Sequence, residues 1–156
     1  MGSPTVIRGL AALKDYVGVE LGVSDWIPIT QARIDAFANA TDDHQWIHSD
    51  VARARRESPW KETIAHGYLT LSLTPALLRQ ILTVEGSTTA VNAGIEKMRL
   101  SSPVLAGSRV RLWAMIKHAR DLPRGGMRVV IHVNLEVEGS SKPACTADVI
   151  YLYFAQ

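Results

Sequence analysis

The chain has 156 residues, enough for one domain with a real core, and reads as a single domain over residues 1–156. Its 47% hydrophobic and 21% charged residues are ordinary for a globular protein, and a net charge of +2 implies no nucleic-acid partner. Cys145 is the only cysteine, so no internal disulfide can form; with no signal-peptide core and no apolar run of membrane-spanning length, a cytoplasmic protein without a membrane partner is expected.

Leu10, Leu13 and Val17 have helical spacing within residues 8–17. Residues 24–29, with Trp26, Ile27 and Ile29, read as a short strand. Thr30 is a good N-cap for a helix over 31–40, whose apolar face is Ile34, Phe37 and Ala38. Residues 41–48, Thr-Asp-Asp-His-Gln-Trp-Ile-His, read as a loop. Ser49 or Asp50 then caps a short basic helix over 51–57 that stops before Pro59.

Residues 67–82 fit two patterns. Tyr68 to Leu73 alternates like a strand, whereas Leu73, Leu77, Leu78, Ile81 and Leu82 have helical spacing. The segment is too long and too apolar for an exposed strand, so a buried helix is expected. Pro75 inside that helix would cost about 3 kcal/mol unless the helix kinks. The remainder reads as β: a strand over 93–100 and another over 109–117, with Val110, Leu112, Ala114 and Ile116 on one face. Gly125-Gly126 signals a hairpin. Apolar and polar residues alternate from Met127 to Glu138, and a last strand covers 144–154. The layout is α+β, a meander with one buried helix to cover.

Two stretches carry the chemistry. Residues 41–48 bring two carboxylates and two imidazoles together, and Asp43 with His48 could serve as an acid/base pair. Ile64-Ala65-His66-Gly67 opens the long apolar segment, where the Gly67 N–H could meet a developing oxyanion. Each residue also has a plainer reading: a capping Asp43, a structural His48, a packing His66, and Gly67 at a junction where no side chain fits. His44 and His48 have zinc-like spacing, but Gln45 stands where that motif needs a Glu base, so no metal is expected. His44 then faces solvent. Arg53, Arg55, Arg56 and Lys61 form a solvated basic face or one that meets the phosphates of a ligand. Cys145 reads as a small core residue, and His118 and His132 as strand-surface residues.

Together these stretches resemble the MaoC-like dehydratase family, which includes the (R)-specific enoyl-CoA hydratases. The family signature places His five positions after Asp, often as Gly-Asp-x-Asn-Pro-x-His. Its counterpart here is Asp42-Asp43-His44-Gln45-Trp46-Ile47-His48. The family's His-Gly matches His66-Gly67, and its later Asn-Tyr-Gly, Lys-x-Arg and Pro-Val match Asn92-Ala93-Gly94, Lys97-Met98-Arg99 and Pro103-Val104. The likeness covers roughly residues 20–154. Asp42 replaces the usual Gly, and Gln45-Trp46 replaces Asn-Pro.

The resemblance implies a hot-dog fold, an antiparallel sheet wrapped around a central helix. It implies reversible addition of water to a trans-2-enoyl thioester of coenzyme A or acyl carrier protein, giving the (R)-3-hydroxyacyl product. Asp43 would take a proton from water, while His48 would orient that water and protonate the alpha carbon. The Gly67 N–H would hold the enolate-like oxygen, and the Gln45 amide would offer a substrate contact. No metal or redox cofactor is implied, and a homodimer is. A hot-dog thioesterase and a non-catalytic acyl-thioester binding module remain as alternatives, since fold does not fix function.

Overall fold

The computed structural model describes residues 4–123 and 125–155. Strands β2 (Glu20–Val23), β5 (Thr89–Leu100), β6 (Arg109–Asp121), β7 (Met127–Val137) and β8 (Cys145–Phe154) form one antiparallel sheet in the order β2-β6-β7-β8-β5. β3 (Ile27–Pro28) adds to β6. The expected strand over 24–29 is therefore only two residues long. Ser24 instead bonds across to β6, its Oγ accepting from the Leu112 N–H at 2.9 Å. β1 (Thr5–Arg8) pairs in parallel with β4 (Leu82–Glu85), a partnership no local pattern announces. Residues 10–16 wind as a 3-10 helix that buries Leu13.

The hairpin between β6 and β7 turns at Gly125 and Gly126, both with positive φ. Val110, Leu112, Ala114 and Ile116 of β6 are all fully buried, as their alternation requires. Leu112, Ala114 and Ile116 pack with Val129, Ile131, Val133 and Leu135 of β7 against Leu77, Leu78 and Ile81, while Val110 joins a smaller cluster with Ile29 and Ile34. The sheet thus closes over a central helical segment, the arrangement expected of a hot-dog fold. Cys145 lies in the same core, and burial raises its thiol pKa to about 11.

That central segment is two helices, α4 (Gly67–Ser72) and α5 (Thr74–Ile81), divided at Leu73. The expected kink is a full break. Pro75 falls in the first turn of α5, where a missing N–H leaves no hydrogen bond unmade. Its cost inside a continuous helix is therefore avoided.

Pro75→Ala tests this placement. A first-turn proline limits the unfolded chain, so its removal should lower unfolding free energy by about 0.4–1 kcal/mol in urea titrations. A gain approaching about 3 kcal/mol would mean that the proline strains a helix interior.

Candidate active site

The motif folds in two steps. Helix α1 (Gln31–Thr41) is capped by Thr30, whose hydroxyl accepts from the Arg33 N–H at 3.2 Å. It ends at Asp42 in the left-handed region, φ 58° and ψ 19°. The chain then turns at Asp43, whose Oδ1 accepts from the Gln45 N–H at 3.4 Å. Gln45 opens α2 (Trp46–Ser49), and the His48 N–H bonds back to its carbonyl at 2.9 Å. The stretch 41–48, expected as a loop, is thus half helix. The turn of helix explains the spacing, since it swings His48 inward while Asp43 stays 54% exposed. Asp50 caps α3 (Val51–Glu57), accepting from the Arg53 N–H at 2.9 Å.

His48 is buried and held on several sides. Its Nδ1–H donates to the Ile64 carbonyl at 2.6 Å, since a carbonyl only accepts. That fixes the neutral tautomer and leaves Nε2 with a free lone pair. The Ile64 N–H donates to the Ile47 carbonyl at 3.0 Å, so residue 64 grips α2 twice. Gln31 adds a third hold, with Nε2 2.7 Å from the His48 carbonyl and Oε1 accepting from Thr63 Oγ1 at 2.5 Å. Burial, above all, pushes the His48 pKa below the ordinary 6.5, with nearby His66 adding to it. The Ile64 bond and Asp43 oppose that shift.

His66 lies between the two. Its ring stacks on His48, centroids 3.8 Å apart and planes 23° apart, with Phe37 at 5.0 Å. Its Nε2–H donates to the Asp43 carbonyl at 2.9 Å, and the Asp43 carboxylate is 3.8 Å away. Asp43, His48 and His66 each bring a polar atom within 4.8 Å of the other two. His48 Nδ1 and His66 Nε2 already meet the Ile64 and Asp43 carbonyls, so neither of these two ring nitrogens is free for an ion. The zinc-like pair of the sequence does not assemble, because His44 is exposed and stands outside this group.

A cleft of about 270 Å³ runs beside the cluster, lined by His48, Gly67, Trp60, Thr70, Leu100 and Val104 among others. Gly67 is the first residue of α4, where an N–H has no carbonyl a turn earlier. A Cβ there would overlap the Leu100 side chain. The junction and the donor readings of Gly67 therefore coexist. Gln45 is exposed and does not line this cleft. Trp60 and Leu100 do, and no motif marks them, because single apolar residues in polar surroundings are common on any surface. On α3, Arg53 pairs with Glu57 at 2.7 Å and covers Trp46, and Arg55 lies 3.6 Å from Glu62. These pairs favour the solvated reading of the basic face. His132 is less exposed than its strand position suggested: Asp148, itself buried, accepts from it at 2.7 Å and from Lys117 at 2.8 Å.

The sequence profile of the MaoC like domain matches residues 14–137. The chain belongs to the MaoC-like dehydratase family. The family's activity is hydro-lyase chemistry, dehydration or hydration. The chain is 45% identical over 148 residues to 3-hydroxyacyl-thioester dehydratase Z of Mycobacterium tuberculosis (strain ATCC 25618 / H37Rv), covering 95% of this chain and 97% of that protein. In fold it resembles a monoamine oxidase regulatory protein from Archaeoglobus fulgius, with a TM-score of 0.77 at 19% identity over 99% of both chains. It also resembles the (R)-hydratase from A. caviae involved in PHA biosynthesis, with a TM-score of 0.66 at 21% identity over 83% of this chain and 94% of the other. These neighbours establish the hot-dog fold. Membership also makes sense of Asp42: the signature's usual Gly suits the left-handed cap that Asp42 occupies here.

The lowered His48 pKa carries a stability signature. Below about pH 6.5 the unfolded chain takes a proton on this histidine while the folded chain does not. Folding stability should therefore fall as pH drops from about 6.5 through the folded pKa, and the contribution is fully present above that window. Urea titrations of wild type and His48→Gln across pH 5–8 measure it. The wild type should show the steeper loss toward acid, and equal slopes would contradict a buried neutral His48.

Proposed function

We propose that the protein adds water across the double bond of a trans-2-enoyl thioester to give the (R)-3-hydroxyacyl thioester, and runs the reverse dehydration. The observation that carries this reading is a buried His48, Nε2 unprotonated, lining the cleft together with Gly67, with the Asp43 carboxylate within 4.8 Å of a His48 ring nitrogen though not itself among the lining residues. The name of the 45% identical relative supports an acyl-thioester substrate. The carrier is coenzyme A or acyl carrier protein, and we place the reaction in the cytoplasm.

Both groups accept hydrogens at the start of hydration. One water donates to His48 Nε2 and to the Asp43 carboxylate, leaving an oxygen lone pair for the beta carbon. As the C–O bond forms, the double-bond electrons move toward the thioester oxygen, which the Gly67 N–H stabilises. The water proton passes to Nε2, and Asp43 keeps the other hydrogen bond and steadies the imidazolium. The enolate-like carbon then takes the proton from Nε2. This refines the division of labour implied by the resemblance, which made Asp43 the base. His48 has no proton on Nε2 until it receives one, so it accepts before it donates. Water and proton come from one side, so addition is syn. The Gln45 amide is a second-rank contact, available only to a substrate part lying outside the cleft.

We also propose a homodimer. β5 ends the sheet, and it is exposed along nearly all its length. Val91 and Ile95 on β5, with Tyr68 of α4 70% exposed, leave apolar surface beside an unpaired edge. A second copy pairing there removes both. Light scattering at micromolar concentration should give twice the monomer mass, and monomer alone would refute the pairing.

Turnover of crotonyl-coenzyme A tests the chemistry. Asp43→Asn and His48→Gln should each lose at least about 100-fold, and the double variant little more, because the pair acts on one water. His44→Gln should stay near wild type, and exhaustive chelation should change nothing. Thiol release without loss of the enoyl absorbance would make the protein a thioesterase instead.

A further inference from the structure

We propose that His66 is a positioning residue that sets both members of the pair, holding the Asp43 main chain through its Nε2–H and the His48 ring through its own face. Three observations carry this. The Nε2–H bond to the Asp43 carbonyl fixes the turn from which the carboxylate projects, at 2.9 Å and under cover. The stack at 3.8 Å closes one face of His48, whose edge is already fixed by Ile64. His66 Nδ1 is buried with no hydrogen-bond partner among the described residues. A proton there would be a buried donor without an acceptor, so the ring keeps its hydrogen on Nε2. The two imidazoles thus hold opposite neutral tautomers: Nδ1–H on His48 and Nε2–H on His66.

The geometry has a reason in chemistry. His48 must begin neutral, and a neighbour that presents a ring face rather than a lone pair or a charge gives it no reason to protonate early. The groups around His48 are few. Asp43 lies on the turn before it and His66 precedes α4, while Asp35 of α1 reaches it only through Gln31, whose Nε2 is 2.8 Å from Asp35 and 2.7 Å from the His48 carbonyl. α3 directs Arg53 toward Trp46 and Glu57. Burial is the main cause that favours the neutral His48 ring, and the Ile64 bond and Asp43 favour the charged one.

Two variants separate the two holds. His66→Gln keeps an N–H donor and loses the ring face; His66→Phe keeps the face and loses the donor. The kinetic part rests on the hydratase reading above, and the spectroscopic part does not. In two-bond ¹H–¹⁵N spectra, His48 of wild type should titrate below the ordinary histidine value, and in His66→Gln its midpoint should rise toward about 6.5. In His66→Phe the midpoint should stay low. Turnover per folded molecule should fall about 10- to 100-fold in both variants, the scale of a misplaced catalytic group, with KM nearly unchanged. Lower melting temperatures with unchanged turnover and an unchanged His48 midpoint in both variants would overturn the proposal, leaving His66 a packing residue. Wild type alone also decides it, whether or not the variants fold: the spectra should show opposite neutral tautomers, and a shared tautomer would refute the arrangement.

Discussion

The hydrogen bond from His48 Nδ1 to the Ile64 carbonyl is the constraint on which the site depends. It is short, buried and directional, and an unmet donor at that depth would cost about 1–3 kcal/mol. It therefore selects both the tautomer and the ring orientation of His48. Everything around it serves to keep Ile64 in place. The Ile64 N–H ties to Ile47, residue 64 bridges to Leu105, and on either side Ala65 bonds to Val104 at 2.7 Å and Ala106 to Thr63 at 2.9 Å. A segment outside the main sheet is thus held as firmly as a strand. The chemistry inherits that rigidity.

The fold supplies the rest through burial. Ile34 of α1 is sunk in a second apolar cluster with Ala65, Leu69 and Val104, and Phe37 packs against it. That cluster joins the helix leading into the Asp43 turn to the helix opening at Gly67. A change in either element therefore moves both halves of the site. The large core under β6, β7 and β8 anchors α5, and α4, which ends before Leu73, carries Gly67 and Thr70 to the cleft. Pro75, an anomaly inside one long helix, is in place at the start of the second.

Much of this was legible in the residues. Thr30, the burial of Val110 to Ile116, the glycine hairpin and the alternation of β7 follow from local rules that the structure obeys. Asp43 and His48 stood out as an acid/base pair by residue type and motif, but the turn of helix that brings His48 round was expected as a loop. What could not be read were pairings between distant segments. Nothing local announces that β5 lies beside β8, that β1 runs parallel to β4, or that residue 64 faces residue 48. His66 was underestimated for the same reason. Its importance lies in contacts 18 and 23 positions back along the chain, and a histidine beside a glycine carries no mark of them. Ser24 and Trp26 misled in the other direction: their composition suits a strand, but Ser24 meets β6 only at Leu112, through its Oγ and its N–H, and the ladder is confined to Ile27 and Pro28.

The central claim is that one water, gripped by His48 and Asp43 on one side of the substrate, supplies both the hydroxyl and the new alpha hydrogen. Hydration of crotonyl-coenzyme A in deuterium oxide, with the product's C2–C3 couplings read by proton NMR, tests it directly. The account requires one deuterium at C2, placed syn to an (R) hydroxyl at C3. Deuterium anti to the hydroxyl, or scrambled between the two faces, would contradict it.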